Sequence, residues 1–344
     1  MAMKKLLFKI AVLVVAVAVL NEVSNLLFYN KRLPAFWGDA QINGKHNSIL
    51  MPPGYNTLFI GSSKTHYQVI PHLFDSLVNA HSPVKIHSYN FGIDGMLPPE
   101  SFYIYKLLLQ NDSLSLKNVI IELDFIKTDD TRNMFTWRGF YWANQDTYRD
   151  YAAALLASKF SARFKAFNLV TLNIMAAENL YNLSKFNAYL DFISHRSQND
   201  TDAGRAGFEP LPHPKLFSNA VQSAIDKTRD ASVNGFANYN RWALAKPNQA
   251  YAGYLHSLLD VSKKKGIRLI FMLPPQWDAN QYRELFPVLK TIPNGNKIIM
   301  AGLAGHPYLF TEKYLFDGDH LNGAGAALFT KDIARQFIKP GTSE

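Results

Sequence analysis

The chain of 344 residues contains no cysteine. That excludes a disulfide framework, a thiolate metal site and a cysteine nucleophile. It leaves the compartment open, because an exported protein can fold without disulfides. Charged residues are scarce as well, 18% against 48% hydrophobic, so the chain is neither disordered nor low in complexity and can bury a sizeable core. No internal repeat recurs at solenoid periods. No histidine stands at metal-ligand spacing; His66, His72, His87 and His213 read as surface or internally satisfied side chains, and no metal or organic cofactor is expected.

The formal net charge of +9 supports solubility, or attraction to an anionic surface such as lipid headgroups or an acidic polymer. Nucleic acid is not an expected partner, because the basic residues are scattered. Their one short run, Lys263-Lys264-Lys265, reads as a solvated helix end.

Lys4, Lys5 and Lys9 flank the start of an apolar stretch. The unbroken run is Ile10 to Leu20; Asn21, Glu22, Ser24 and Asn25 interrupt it before Leu26-Leu27-Phe28-Tyr29. A spanning helix needs roughly 20 mostly apolar residues. We expect an uncleaved transmembrane anchor from about Leu6 to Phe28, with a cleaved signal peptide and a buried soluble helix as alternatives. Its leading lysines place the amino terminus in the cytoplasm and the bulk of the chain outside. Residues 1–30 are then the anchor, 31–54 a Pro-, Gly- and Asn-rich linker, and 55–340 the folded domain.

That domain alternates strands and helices. Thr57–Ile60, Lys85–Tyr89, Asn118–Leu123, Ile267–Leu273 and Lys297–Met300 read as strands; Val69–Asn79, Pro98–Gln110, Tyr251–Lys265 and Gly325–Phe337 read as helices. The alternation implies an α/β fold with a parallel sheet covered on both faces. Ligands then gather beyond the carboxyl ends of the strands. Between about 128 and 247 the alternation stops. This region reads as a helical insertion, with a helical stretch over Tyr148–Ser194, a Gly/Pro-bearing loop over 196–214, and an aromatic cluster of Phe135, Trp137, Phe140, Tyr141 and Trp142. The cluster serves either core packing or a contact with substrate, membrane or partner.

Three motifs fall where such a sheet would collect them. Leu58-Phe59-Ile60-Gly61-Ser62-Ser63 runs a strand into a helix and sets a hydroxyl at the sheet edge, near backbone N–H groups that favour developing negative charge. Asn90-Phe91-Gly92-Ile93-Asp94-Gly95 follows the second strand and offers a glycine N–H. Asp317-Gly318-Asp319-His320 precedes the last helix; an Asp three residues before a His can reach the imidazole away from a serine, while Asp319 points elsewhere. Each alone is equally a turn or a cap.

In this order the motifs resemble the SGNH (GDSL-like) hydrolase superfamily, over roughly residues 55–130 and 248–339. The likeness is greatest to its membrane-anchored branch of teichoic-acid D-alanyl-transfer and polysaccharide O-acetylation proteins. The resemblance implies a three-layer, flavodoxin-like sheet. It makes Ser63 the nucleophile, His320 the base, Asp317 its orienting acid, and the N–H groups of Gly95 and Ser63 the oxyanion hole. It further implies an extracytoplasmic serine acyltransferase or esterase acting on acyl esters of a cell-surface polysaccharide or cell-wall polymer. The acyl donor would arrive through a multi-spanning membrane-bound O-acyltransferase. One departure stands out: the family's Gly-x-Asn-Asp element should follow the third strand, where this chain has Ile121-Glu122-Leu123-Asp124-Phe125, with no matching asparagine. A catalytically idle glycan-binding or scaffold subunit is therefore the rival expectation. Glu122 and Asp124 read as satisfied strand-end carboxylates.

Overall fold

A computed structural model describes residues 2–24, 40–52, 54–126, 142–180, 205–214, 217–300 and 306–339. Five parallel strands form one sheet: β1 (Thr57–Gly61), β2 (Ser88–Gly92), β3 (Asn118–Glu122), β4 (Arg268–Leu273) and β5 (Lys297–Ile299), in the order β2-β1-β3-β4-β5. Successive side chains on a strand point to opposite faces. Here both faces are apolar, so each strand packs two cores, as expected for a parallel sheet buried on both sides.

The helices, in chain order, are α1 (Ala2–Ser24), α2 (Ala40–Ile49), α3 (Ser63–Gln68), α4 (Pro71–His81), α5 (Glu100–Leu109), α6 (Gln145–Ala157), α7 (Ala162–Leu180), α8 (Asn219–Ala237), α9 (Tyr239–Ala243), α10 (Gln249–Lys264), α11 (Ala279–Thr291) and α12 (Gly323–Ile338). Leu58, Ile60, Val119, Ile121, Leu269 and Phe271 pack one face of the sheet against α5, α10 and α11. Phe59, Ile120, Ile270 and Met272 pack the other against Phe74 and Val78 of α4 and Phe329, Ile333 and Phe337 of α12. Two helical layers thus sandwich the sheet.

Three expectations need correction. The second strand lies three residues later than its apolar residues suggest. The N–H of Ile86 bonds Asn79 Oδ1 and that of His87 bonds Asn56 Oδ1, so the ladder with β1 starts at Ser88. The supposed linker 31–54 contains α2, whose Ile42 and Ile49 lie in the core and whose Lys45 is fully buried. The Lys45 ammonium donates to the carbonyls of Asn90 and Gly207, which is why a lysine can be buried there. The helical stretch over 148–194 is broken: Ser161 Oγ accepts the N–H of Phe164 and starts α7 afresh after α6. Tyr151, Leu155, Leu172 and Met175 of these two helices join the main core, so the insertion packs on the α/β unit. Phe135, Trp137, Phe140 and Tyr141 lie outside the described residues; Trp142 is buried in the same core.

α1 is a 23-residue helix whose side chains from Met3 to Leu20 are exposed. Among the described residues, no helix is long and apolar enough to cross a membrane. Lys9 and the Asn21-Glu22 pair bound the apolar run of α1, and the expected continuation to Phe28 lies outside the described residues.

β2 meets α3 at very short range. A Cβ on Gly92 would stand 2.3 Å from the backbone nitrogen of His66 and 2.6 Å from its Cα. Neither atom can swing away. Gly92→Ala is expected to cost about 1–3 kcal/mol or more, by pushing α3 off the sheet; urea unfolding with parent-like stability would contradict this close approach.

Candidate active site

β1 delivers the chain to the carboxyl edge of the sheet and α3 turns it back. Between them, Ser62 is extended and caps α3, its Oγ accepting the N–H of Lys64. Below the turn, Glu122 at the end of β3 gathers three donors: the N–H of Ser62, its hydroxyl, and the hydroxyl of Thr65, each at 2.8 Å. Burial pushes the Glu122 carboxyl up; the Lys64 charge and these hydrogen bonds oppose it, and the net shift stays upward. Glu122 is thus a hydrogen-bonded carboxyl group that fixes the Ser62-Ser63 turn. Asp124 is also engaged, accepting the N–H of Phe125 at 2.6 Å.

Ser63 is the first residue of α3, and its hydroxyl lies 2.8 Å from His320 Nε2. His320 sits on a tight loop closed by the Leu315–Leu321 bridge and by the N–H of Phe316 on the His320 carbonyl. Within the loop, Asp317 Oδ1 accepts the N–H groups of Asp319 and His320, both at 2.8 Å. The same carboxylate meets His320 Nδ1 at 2.9 Å. An ionised carboxylate only accepts, so Nδ1 carries the proton and Nε2 is left to accept the Ser63 hydroxyl. Asn322 then caps α12, bonding the N–H groups of Ala324 and Gly325.

The electrostatics agree with this arrangement. Burial pulls the imidazole of His320 down, but the Asp317 hydrogen bond and the charges of Asp319 and Asp317 outweigh it, and the net shift is upward. Burial raises Asp317; its bonds from His320 and from two backbone N–H groups prevail and hold it below the ordinary carboxylate range.

The structure brings Ser63, His320 and Asp317 together. Gly95 lies on the loop that leaves β2 on the same edge, with φ of +67°, a backbone conformation that glycine adopts without strain. The loop is bound to β1 by the N–H of Ile93 on the Gly61 carbonyl and to α3 by Tyr67 on Asp94. His66 is buried and satisfied, its Nδ1 3.0 Å from Lys45 and its Nε2 3.2 Å from Glu209. Burial, then the lysine charge, pulls it down to about 3.

Sequence reasoning missed two participants at this edge. Lys64, beside Ser63, reaches Asp319 at 2.9 Å and the Pro275 carbonyl at 2.8 Å. Trp277, on the loop after β4, donates its indole N–H to Asp319 at 2.6 Å and is 47% exposed. Their only sequence signal was adjacency to the motifs, since the partners lie more than 200 residues apart for Lys64.

Among the described residues, no group of His, Asp and Glu is placed to hold a metal ion. A hydroxyl, an imidazole with an acceptor nitrogen turned towards it and a half-buried orienting carboxylate can together activate an oxygen nucleophile against a carbonyl. The sequence matches no protein-family model, no curated protein and no solved structure.

Proposed function

We propose that this protein is a serine acyltransferase or esterase of SGNH type, acting outside the cytoplasm on acyl esters of a cell-surface glycan or cell-wall polymer. The observation that carries the reading is the line from Ser63 Oγ through His320 to Asp317, with contacts of 2.8 and 2.9 Å. His320 takes the Ser63 proton as Oγ attacks the acyl carbonyl. N–H groups of Ser63 and Gly95 hold the oxyanion. On collapse, the alcohol of the donor ester departs with the proton from His320, and the acyl group stays on Ser63. A sugar hydroxyl (transfer) or water (hydrolysis) gives its proton to His320, attacks, and frees the serine.

The setting is proposed on α1. Its apolar side chains are exposed to the surroundings, and lysines lead it. At 1.5 Å per residue the apolar run Ile10–Leu20 covers about 16 Å of a hydrocarbon core of about 30 Å, so the proposed anchor draws on Leu6-Leu7-Phe8 and Leu26-Leu27-Phe28 as well. Held by this helix, the domain would take its acyl group from a multi-spanning membrane-bound O-acyltransferase.

A rival reading is an idle glycan-binding or scaffold subunit. Its support is the loop after β3, which has no asparagine to serve as the expected amide donor and where Asp124 accepts the Phe125 N–H. An oxyanion donor is worth about 3 kcal/mol, so its loss slows catalysis without abolishing it.

The test uses the whole chain in detergent, with p-nitrophenyl acetate as substrate and a fluorophosphonate as serine probe. Turnover and labelling that both disappear in Ser63→Ala support the enzyme. A folded parent that neither labels nor exceeds its Ser63→Ala variant selects the scaffold.

A further inference from the structure

Lys64 is nine-tenths buried at the active edge. A buried ammonium is costly unless paired and hydrogen-bonded, and its two partners belong to different segments. One is Asp319 Oδ1, next to the base His320; the other is the carbonyl of Pro275, on the loop after β4. The same Asp319 oxygen receives the Trp277 indole N–H from that loop. A second tie runs from α3 to the same residue: Gln68 Nε2 donates to the Asp319 carbonyl at 3.1 Å.

Two residues of α3 therefore grip Asp319, one by its side chain and one by its main chain. Ser63 precedes Lys64 on that helix, and His320 follows Asp319 by one peptide bond. The Ser63–His320 contact joins segments 257 residues apart, and these ties are the adjacent bonds between the same two segments. We infer that Lys64 and Asp319 form a brace that fixes the imidazole against the Ser63 hydroxyl, making Lys64 a positioning residue for the reaction. The inference rests on reading Ser63, His320 and Asp317 as the reacting set. Misplacement of about 1 Å at such a site costs on the order of a hundredfold in rate.

The brace is also electrostatic. The charged groups facing His320 are Asp317 and Asp319 from its own loop and Lys64 from α3, with the Tyr67 ring packed edge-on at 5.6 Å. Asp319 raises its proton affinity and Lys64 lowers it. The net shift is upward, so the parent base becomes neutral, and active, only as pH rises through a value above 6.5.

The experiment compares full-length parent, Lys64→Met, Asp319→Asn, the double variant and Gln68→Met in detergent. The His320 titration is read by histidine ring NMR, assigned with His320→Gln, beside kcat and KM for p-nitrophenyl acetate. The expected titration midpoint moves up in Lys64→Met, down in Asp319→Asn, and stays put in Gln68→Met. In all three, kcat falls about 10- to 100-fold with KM within about twofold, and the double variant is no slower than its slower parent. A midpoint unmoved in both charge variants, or rate losses that multiply in the double variant, would overturn the brace. Gln68→Met separates position from charge, since parent-like turnover there removes the positional half of the inference. If the parent itself shows no Ser63-dependent turnover, the functional reading fails, while the two opposed titration shifts still decide whether Lys64 and Asp319 act on His320.

Discussion

Replacing Ser63 or His320 by alanine is expected to lower kcat for p-nitrophenyl acetate by at least about a thousandfold, and the double variant should lose no more. The reasoning starts from geometry. Ser63 Oγ has His320 Nε2 at 2.8 Å, and His320 Nδ1 has Asp317 at 2.9 Å. A serine hydroxyl is a poor nucleophile until a base takes its proton in the transition state. Without the base the hydroxyl gains nothing from the remaining imidazole partners; without the hydroxyl the base has nothing to activate. The two act as one unit, so their losses do not multiply. Asp317→Asn tests the third member differently. An amide placed with its NH2 towards Nδ1 would favour the other tautomer, putting the proton on Nε2 where the serine needs an acceptor. Its kcat should fall by about 10⁴ with the fold intact. Independent, multiplying losses in the Ser63/His320 double variant would mean that the two side chains merely touch.

The second large effect falls on stability. Glu122→Leu should cost about 3–5 kcal/mol, the range for stripping one partner from a buried charged cluster. The carboxylate is 4% exposed and accepts from Ser62 twice and Thr65 once. Leucine fills a similar volume but leaves the Ser62 N–H and two hydroxyls buried without acceptors, beside the Lys64 charge. Glu122→Gln keeps one carbonyl oxygen and should cost about 1–3 kcal/mol, close to a single lost acceptor. Urea unfolding of the full chain distinguishes the two. Equal midpoints for parent and Glu122→Leu would show that the carboxylate carries no part of the turn.

What the sequence disclosed follows the range of the forces involved. β1, β3 and β4 are legible because a doubly buried strand is apolar on both faces, and the middle of β3, Val119-Ile120-Ile121, is wholly β-branched. β2 was displaced because Asn56 and Asn79 lend side-chain oxygens to Ile86 and His87, and because Asn90, which reads as a turn former, is a strand residue. Its amide is spent on the carbonyls of Thr65 and Val69. α2 was hidden by its composition: asparagine, glycine, histidine and lysine signal a linker until Lys45 is seen to find its carbonyl partners across the fold. At the site, Asp317 and His320 were readable since three residues suffice to place both on one loop. Lys64 and Trp277 were not, because what they touch is decided by the return of chain segments far away in sequence.

The early start of the folded unit bears on where the active edge can work. α2 is embedded in the domain through Lys45 and Ile42, so only residues 25–39 join it to α1. Fifteen residues can separate their ends by at most about 54 Å. With α1 seated in a bilayer, every ester that Ser63 meets would lie inside a shell set by that length and the width of the domain itself. On the proposed reading, acyl donor and acceptor would then have to meet within that shell, at the membrane face.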